Sequence, residues 1–150
     1  MSSNNKIYDT FNEVLVKLFN DIMHIEEKAI ITEEYKDISN NDMHIIEAIG
    51  ITEPKNMSQV AKELSVTVGT LTIAINNLVK KGYVDRVRSE KDRRVVYISL
   101  SKKGRKAYEH HAKFHKEMIQ ATVEGLSADE VNVLVKALGN LVGFFRDWQH

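Results

Sequence analysis

The stretch from Asn56 to Leu100 constrains this chain most: NMSQVAKELSVTVGTLTIAINNLVKKGYVDRVRSEKDRRVVYISL. Two apolar-striped helical patterns stand three residues apart, and two β-rich segments follow around a charged loop. Asn56 is the expected N-cap of a helix over about 57–64, with Val60, Ala61 and Leu64 on one face. Ser65, Val66 and Thr67 make the turn. Thr67 caps a second helix, about 68–81, whose Leu71, Ile75, Leu78 and Val79 face inward. Gly82 is its stop. Segments 83–88 and 95–100, rich in Val, Tyr and Ile, read as strands flanking Ser89-Glu90-Lys91-Asp92-Arg93-Arg94. The pattern is a helix-turn-helix with a β wing, within a fold that is mainly α.

The second helix is polar where a core helix would not be. Val68, Gly69, Thr70 and Thr72 open it, and Asn76, Asn77 and Lys80 follow. Small hydroxyls and amides suit a helix laid in the major groove, where Asn pairs with adenine and Thr touches phosphate or a thymine methyl. Taken singly, each polar residue is accounted for as a cap or a solvated side chain. Taken with the wing, they indicate binding to double-stranded DNA.

The formal net charge of zero hides an asymmetry. Residues 1–50 hold 4 Lys/Arg against 10 Asp/Glu, whereas residues 76–106 hold 11 against 3. The basic block coincides with the second helix and the wing, as a phosphate-binding face requires. A solvated helix face can also carry a charge run, but this block includes a hairpin tip. No apolar run approaches the ~18 residues of a membrane span, so no membrane partner is expected. MSSNNKIYDT lacks the long apolar segment of a signal peptide, and the expected compartment is the cytoplasm. The absence of cysteine excludes disulfides and thiolate catalysis. No nucleophile elbow, phosphate-binding glycine loop or paired catalytic carboxylates occur, so no enzyme is expected and no catalytic residue is assigned.

Helical stripes flank this centre. Ile7, Phe11, Val14 or Leu15, Leu18, Ile22, Ile25 and Ala29 recur over residues 6–31, a stripe too long for a helix covering only its own small domain. Glu33 to Asp37 reads as a connection. Ser39, with Asp42 as its capping-box partner, opens a helix over about 40–50 with Met43, Ile46 and Ile49 inward and Gly50 as its stop. Ser101 caps a helix to about residue 124, with Tyr108, Ala112, His115, Met118 or Ile119, and Thr122 or Val123 on one face. Ser127 and Glu130 have capping-box spacing before a last helix to about 148, whose apolar face runs from Val131 to Trp148. One domain over 1–150 is expected. Residues 36–100 form the winged helix-turn-helix, and 1–35 with 101–150 form a helical region intertwined across a two-fold axis. The expected assembly is a homodimer on an inverted-repeat operator.

The run GYVDRVRSEKDRRVVYISLSKKG resembles the wing of MarR-type winged-helix regulators, through Gly82, Asp92-x-Arg94 and Ser101-x-x-Gly104. The resemblance covers nearly the whole chain. DMHIIEAIG and RVRSEKDRRVV are most similar to the fatty-acid-biosynthesis repressor, or FabT-type, branch. The resemblance implies a DNA-binding repressor acting as a homodimer. Arg94 would enter the minor groove, positioned by a bidentate pair with Asp92, while Arg86, Arg88, Lys91 and Arg93 reach the backbone or add wing contacts. The family's peroxide-sensing branches use a cysteine, which this chain lacks. A winged-helix interaction module that binds no DNA would not need the basic tip.

The FabT-type branch implies a long-chain acyl group on acyl carrier protein as corepressor. Such a chain needs an apolar tunnel, for which Ile22, Met23, Ile45, Ile49, Phe114 and Met118 are candidates, although each serves equally as ordinary core. The alternative is zinc. His111 and His115 stand at chelating i, i+4 spacing, His44 lies on the earlier short helix, and Glu26 and Glu27 lie on the first. Zinc-sensing relatives use histidines near these places. Two histidines on an apolar face are more often hydrogen-bonded core residues, so no metal or other cofactor is expected.

Overall fold

The computed structural model describes residues 2–30 and 34–148. Helices α1 (Ser2–Asn12) and α2 (Phe19–Ile30) are joined by a π-helical segment, Glu13–Leu18. Then follow α3 (Asn40–Ile49), β1 (Lys55–Asn56), α4 (Met57–Glu63), α5 (Val68–Lys80), β2 (Val84–Arg88), β3 (Val96–Leu100), α6 (Lys102–Val123) and α7 (Ala128–Trp148). The chain divides into two compact units, Met1–Ala112 and Lys113–His150, and α6 passes from one into the other. The expected helix end at residue 31 and the connection's start at residue 33 lie outside the described residues, as do the side chains of Glu26, Glu27 and Ala29.

The core of the first unit is built from the inward faces of α3, α4 and α5 against the sheet. Met43, Ile46 and Ile49 of α3, Val60 of α4, Leu71, Ile75 and Leu78 of α5, and Ile98 of β3 are fully buried. Ile45 and Ala48 are buried too, so α3 hides a wider face than a single stripe. The caps form where the sequence places them. The Ser39 hydroxyl accepts from the Asp42 N–H at 3.1 Å, while the Asp42 carboxylate accepts from the Ser39 N–H at 3.0 Å. Asn56 and Gln59 make the same reciprocal pair at 2.8 and 3.0 Å. Ser127 and Glu130 repeat it in the second unit at 3.2 and 3.1 Å. Each box satisfies backbone donors that a helix start leaves open.

The wing is one strand wider than expected. β1 pairs antiparallel with β3, giving the order β1-β3-β2 with Lys55 opposite Ile98 and Arg86 opposite Ile98 on the other side. Two residues cannot show a period-2 pattern, and Pro54 immediately before them reads as a loop signal. The π-helical segment is likewise absent from the expected regular helix, because an i+5 closure leaves no mark in a stripe spaced by threes and fours.

The root of α6 is set by one close approach. The Ser101 hydroxyl donates to the Gly82 carbonyl at 2.5 Å and accepts from the Gly104 N–H at 3.1 Å. A Cβ on Gly104 would stand 2.1 Å from the Tyr83 carbonyl oxygen, so only glycine fits. From this point the buried face of α6 runs Gly104, Ala107, His111, and Ala112 is exposed instead of facing inward. Tyr83 is buried beneath; its hydroxyl donates to the Asp37 carboxylate at 2.6 Å, and Lys103 Nζ stands 4.4 Å from its ring centroid.

In each unit, long apolar stripes are exposed. Ile7, Phe11, Leu18 and Phe19 are examples in the first; Val135, Leu138, Val142 and Phe145 are examples in the second. Among the described residues, no helix is long and apolar enough to cross a membrane.

Candidate nucleic-acid interface

Helix α5 presents the expected polar face. Its N-cap is Thr67, whose hydroxyl oxygen accepts from the Thr70 N–H at 3.1 Å, and Thr67 also donates to the Thr70 hydroxyl at 2.9 Å. Gly69, Thr70, Asn77 and Lys80 are exposed. Thr72 is half-buried, and its hydroxyl donates to the Val68 carbonyl at 2.7 Å, so a DNA phosphate would find it as an acceptor only. Lys81 turns inward, with Nζ 3.5 Å from Asp42, which leaves Lys80 as the outward cation of this helix end. Asn76 is half-buried, and its Oδ1 accepts from the Arg86 guanidinium. Arg86 therefore ties β2 to α5, a role that its place among the basic residues did not reveal.

The wing tip is internally braced. Ser89 N–H donates to the Val95 carbonyl and Val95 N–H to the Asp92 carbonyl, both at 2.9 Å. Arg88 donates to the Arg93 carbonyl at 3.4 Å. Arg94 projects from this frame with its side chain 92% exposed. Its Nε and Nη2 donate to the two Asp92 carboxylate oxygens at 3.1 and 3.3 Å, and its backbone N–H donates to the same carboxylate. The Arg94 side chain, then its backbone N–H, hold the Asp92 carboxyl below the ordinary range. The pair orients the planar guanidinium and holds it out in the open. Arg93 and Lys91 are exposed beside it.

A cleft of about 310 Å³ joins these parts, lined by Ser58, Val68, Thr72, Arg94, Val95 and Val96 among others. The opening turn of α5 and the wing arginine thus share one surface. The arrangement suits a helix in a groove flanked by an arginine that reaches the neighbouring groove. Ile73 also stands on this face, and the apolar pattern alone did not single it out.

The other candidate residues are distributed as follows. Ile45 and Ile49 are buried in the core, Ile22 is half-buried and Met23 exposed. In the second unit, Phe114 and Met118 are half-buried. His44 is exposed on α3. His111 is 1% exposed, and its Nε2 lies 2.6 Å from the Glu47 carboxylate. Glu47 had given no signal in the sequence beyond lying one turn after His44. His115 packs edge-to-face on Phe114 with ring centroids 6.0 Å apart.

A family model for the transcriptional regulator SarA/Rot matches residues 26–111, from α2 into α6. FabT of Streptococcus pneumoniae, solved in complex with DNA, is 46% identical. The match covers 94% of this chain and 99% of that one, with a TM-score of 0.84. A MarR variant from E. coli complexed with operator DNA is 27% identical over 87% of this chain and 96% of that one, with a TM-score of 0.60. The HTH-type regulator YwhA of Bacillus subtilis (strain 168) is 31% identical over 85 residues, 57% of this chain and 61% of that one. The chain thus spans less than two thirds of that relative's length. It belongs to the MarR-type winged helix-turn-helix transcriptional regulators, the SarA/Rot group among them, and is a DNA-binding regulator, not an enzyme.

Proposed function

We propose that the protein is a homodimeric repressor of fatty-acid biosynthesis genes, binding an inverted-repeat operator with long-chain acyl-acyl carrier protein as corepressor. The observation that carries the DNA-binding part is Arg94, held outward by Asp92 beside the exposed polar face of α5. The likeness to FabT over nearly the whole chain supports the fatty-acid branch. The exposed apolar stripes support a second copy, since patches of this kind mark interfaces. Cytoplasmic action follows from a genomic target. In this reading His111 is a structural residue, its imidazole hydrogen-bonded to Glu47 within the core of the first unit, and no metal takes part.

The test is a gel shift on duplexes carrying promoter regions of fatty-acid synthesis genes, with apo, short-chain and long-chain acyl-acyl carrier protein, and with zinc or chelator in parallel arms. The expected result is tighter binding with the long-chain form alone, and no response to zinc or chelator. Binding that ignores every acyl form would reject the corepressor. A zinc-dependent gain that disappears in His111→Ala would install the zinc reading in its place.

A further inference from the structure

Ile73 is 68% exposed, the most exposed large apolar side chain between Glu34 and Ala112. It is not core: α5 already buries Leu71, Ile75 and Leu78 on the opposite face. Nor does the helix favour it, because a β-branched residue in a helix interior is worse than alanine and its exposed surface gains nothing from burial. Its neighbours at helical spacing are Gly69 and Asn77, four residues either way, and Thr70 and Asn76, three either way. Ile73 is therefore the apolar centre of an otherwise polar outward face.

Two features of the same face say what it meets. First, the Arg86 guanidinium donates to Asn76 Oδ1, which turns the Asn76 amide so that its NH₂ is left to donate. Second, Gly69 is not required by the fold, since a Cβ there would meet only Thr67 Oγ1, at an ordinary 3.9 Å. A glycine that the protein itself does not need leaves room for something approaching from outside. On a major-groove edge, the one base that sets an apolar group beside an acceptor is thymine, with its C5-methyl next to O4.

We propose that Ile73 and Asn76 together read a thymine in each half-site, Ile73 packing on the C5-methyl and the Asn76 NH₂ donating to O4, with Arg86 as the positioning residue that sets the amide's orientation. The inference rests on the DNA-binding reading above and adds a base and an atom to it. The pair also rejects 5-methylcytosine, which keeps the methyl but offers an N4 donor where Asn76 also donates.

The experiment uses the full chain and a duplex that it enriches from a randomised pool. Each thymine of the enriched sequence is replaced in turn by deoxyuridine, which lacks only the methyl, and binding is measured for the parent, Ile73→Ala, Ile73→Val and Arg86→Lys. At one position per half-site the parent should lose about fourfold on deoxyuridine, the effect of one buried methyl. Ile73→Ala should bind thymine and deoxyuridine alike at that position, and Ile73→Val should retain part of the difference. Arg86→Lys should keep the methyl effect yet relax the rejection of cytosine and 5-methylcytosine there. A deoxyuridine scan that is flat in the parent, or a thymine preference that survives in Ile73→Ala, overturns the proposal while leaving DNA binding intact. A pool from which nothing is enriched removes the sequence-reading role altogether, and Ile73's part with it.

Discussion

At the residue scale, the pairing of Arg94 with Asp92 was readable. Asp92 cannot favour a phosphate, so a carboxylate two residues before Arg94 makes sense only as its holder, and the two donor–acceptor contacts, at 3.1 and 3.3 Å, have that bidentate form. Ile73 falls opposite the stripe of Leu71, Ile75 and Leu78, but the pattern gave no reason for an isoleucine on that polar face. Arg86 was visible as a charge but not as the partner of Asn76, since a contact between a strand and a helix ten residues earlier depends on how the hairpin folds back. These geometries separate three variants. Arg94→Ala should weaken operator binding by roughly ten- to a hundredfold per half-site, the size of a good specific contact. Asp92→Ala should cost less, because the cation remains and only its orientation is lost. Lys80→Ala should weaken all duplexes equally and lower the slope of log affinity against log salt, the mark of a phosphate contact. Operator and random-sequence affinities at two salt concentrations check all three, and parent-like binding by Arg94→Ala would remove the wing from the interface.

At the element scale, helices α3 to α7 were legible within a residue or two because each start carries its own chemistry: Ser39, Asn56, Thr67, Ser101 and Ser127 all accept from the backbone N–H three residues on. The elements missed are those without local chemistry, the two-residue β1 and the π-helical segment. The buried face of α6 was misjudged for a related reason: it is fixed by the contact of Gly104 on Tyr83, which is not periodic. Gly104→Ala should therefore cost roughly 1–3 kcal/mol or more of stability, the range for overpacking, here against a backbone carbonyl that cannot swing away. A melting temperature equal to the parent's would disprove that close approach. The Tyr83–Asp37 bond gives a second test. The Tyr83 hydroxyl, more than the nearby Lys103, lowers the Asp37 carboxyl from its ordinary value, outweighing the opposing effect of burial. A carboxyl lowered on folding stabilises fully above its unfolded pKa, about 4, and this stabilisation is lost as pH falls through the folded value. Denaturant midpoints measured from pH 6 to pH 2 should thus fall less steeply below pH 4 for Asp37→Asn than for the parent, from a lower plateau. Parallel curves would mean that the carboxylate is not engaged.

For the whole molecule, the sequence told of a DNA-reading centre between helical arms, and the structure gives that centre a core while leaving much of the arms' apolar surface open. No buried residue occurs anywhere along α7, although its Val135, Leu138, Val142 and Phe145 repeat at steps of three and four. A helix with that stripe and nothing buried lowers its free energy by meeting another apolar face, and the second copy of the proposed homodimer would supply one. What the pattern could not give is the register of that meeting, since any two apolar stripes satisfy a period of 3.6. Dimerisation and DNA binding are then coupled through the number of phosphates engaged. Each half-site neutralises its own set, so a dimer releases twice the counterions of a monomer, and the salt slope, about −0.9 per phosphate contact, doubles with it. Replacing Leu138 and Val142 together by arginine should yield a monomer at micromolar concentration in sedimentation, with the helix-turn-helix intact by circular dichroism. Its affinity for a full operator should drop to that of the parent for an isolated half-site, and its salt slope should fall to about half. A double variant that stays dimeric would place the interface elsewhere than on this stripe of α7. A monomer that keeps the full slope would show that one copy alone makes every phosphate contact.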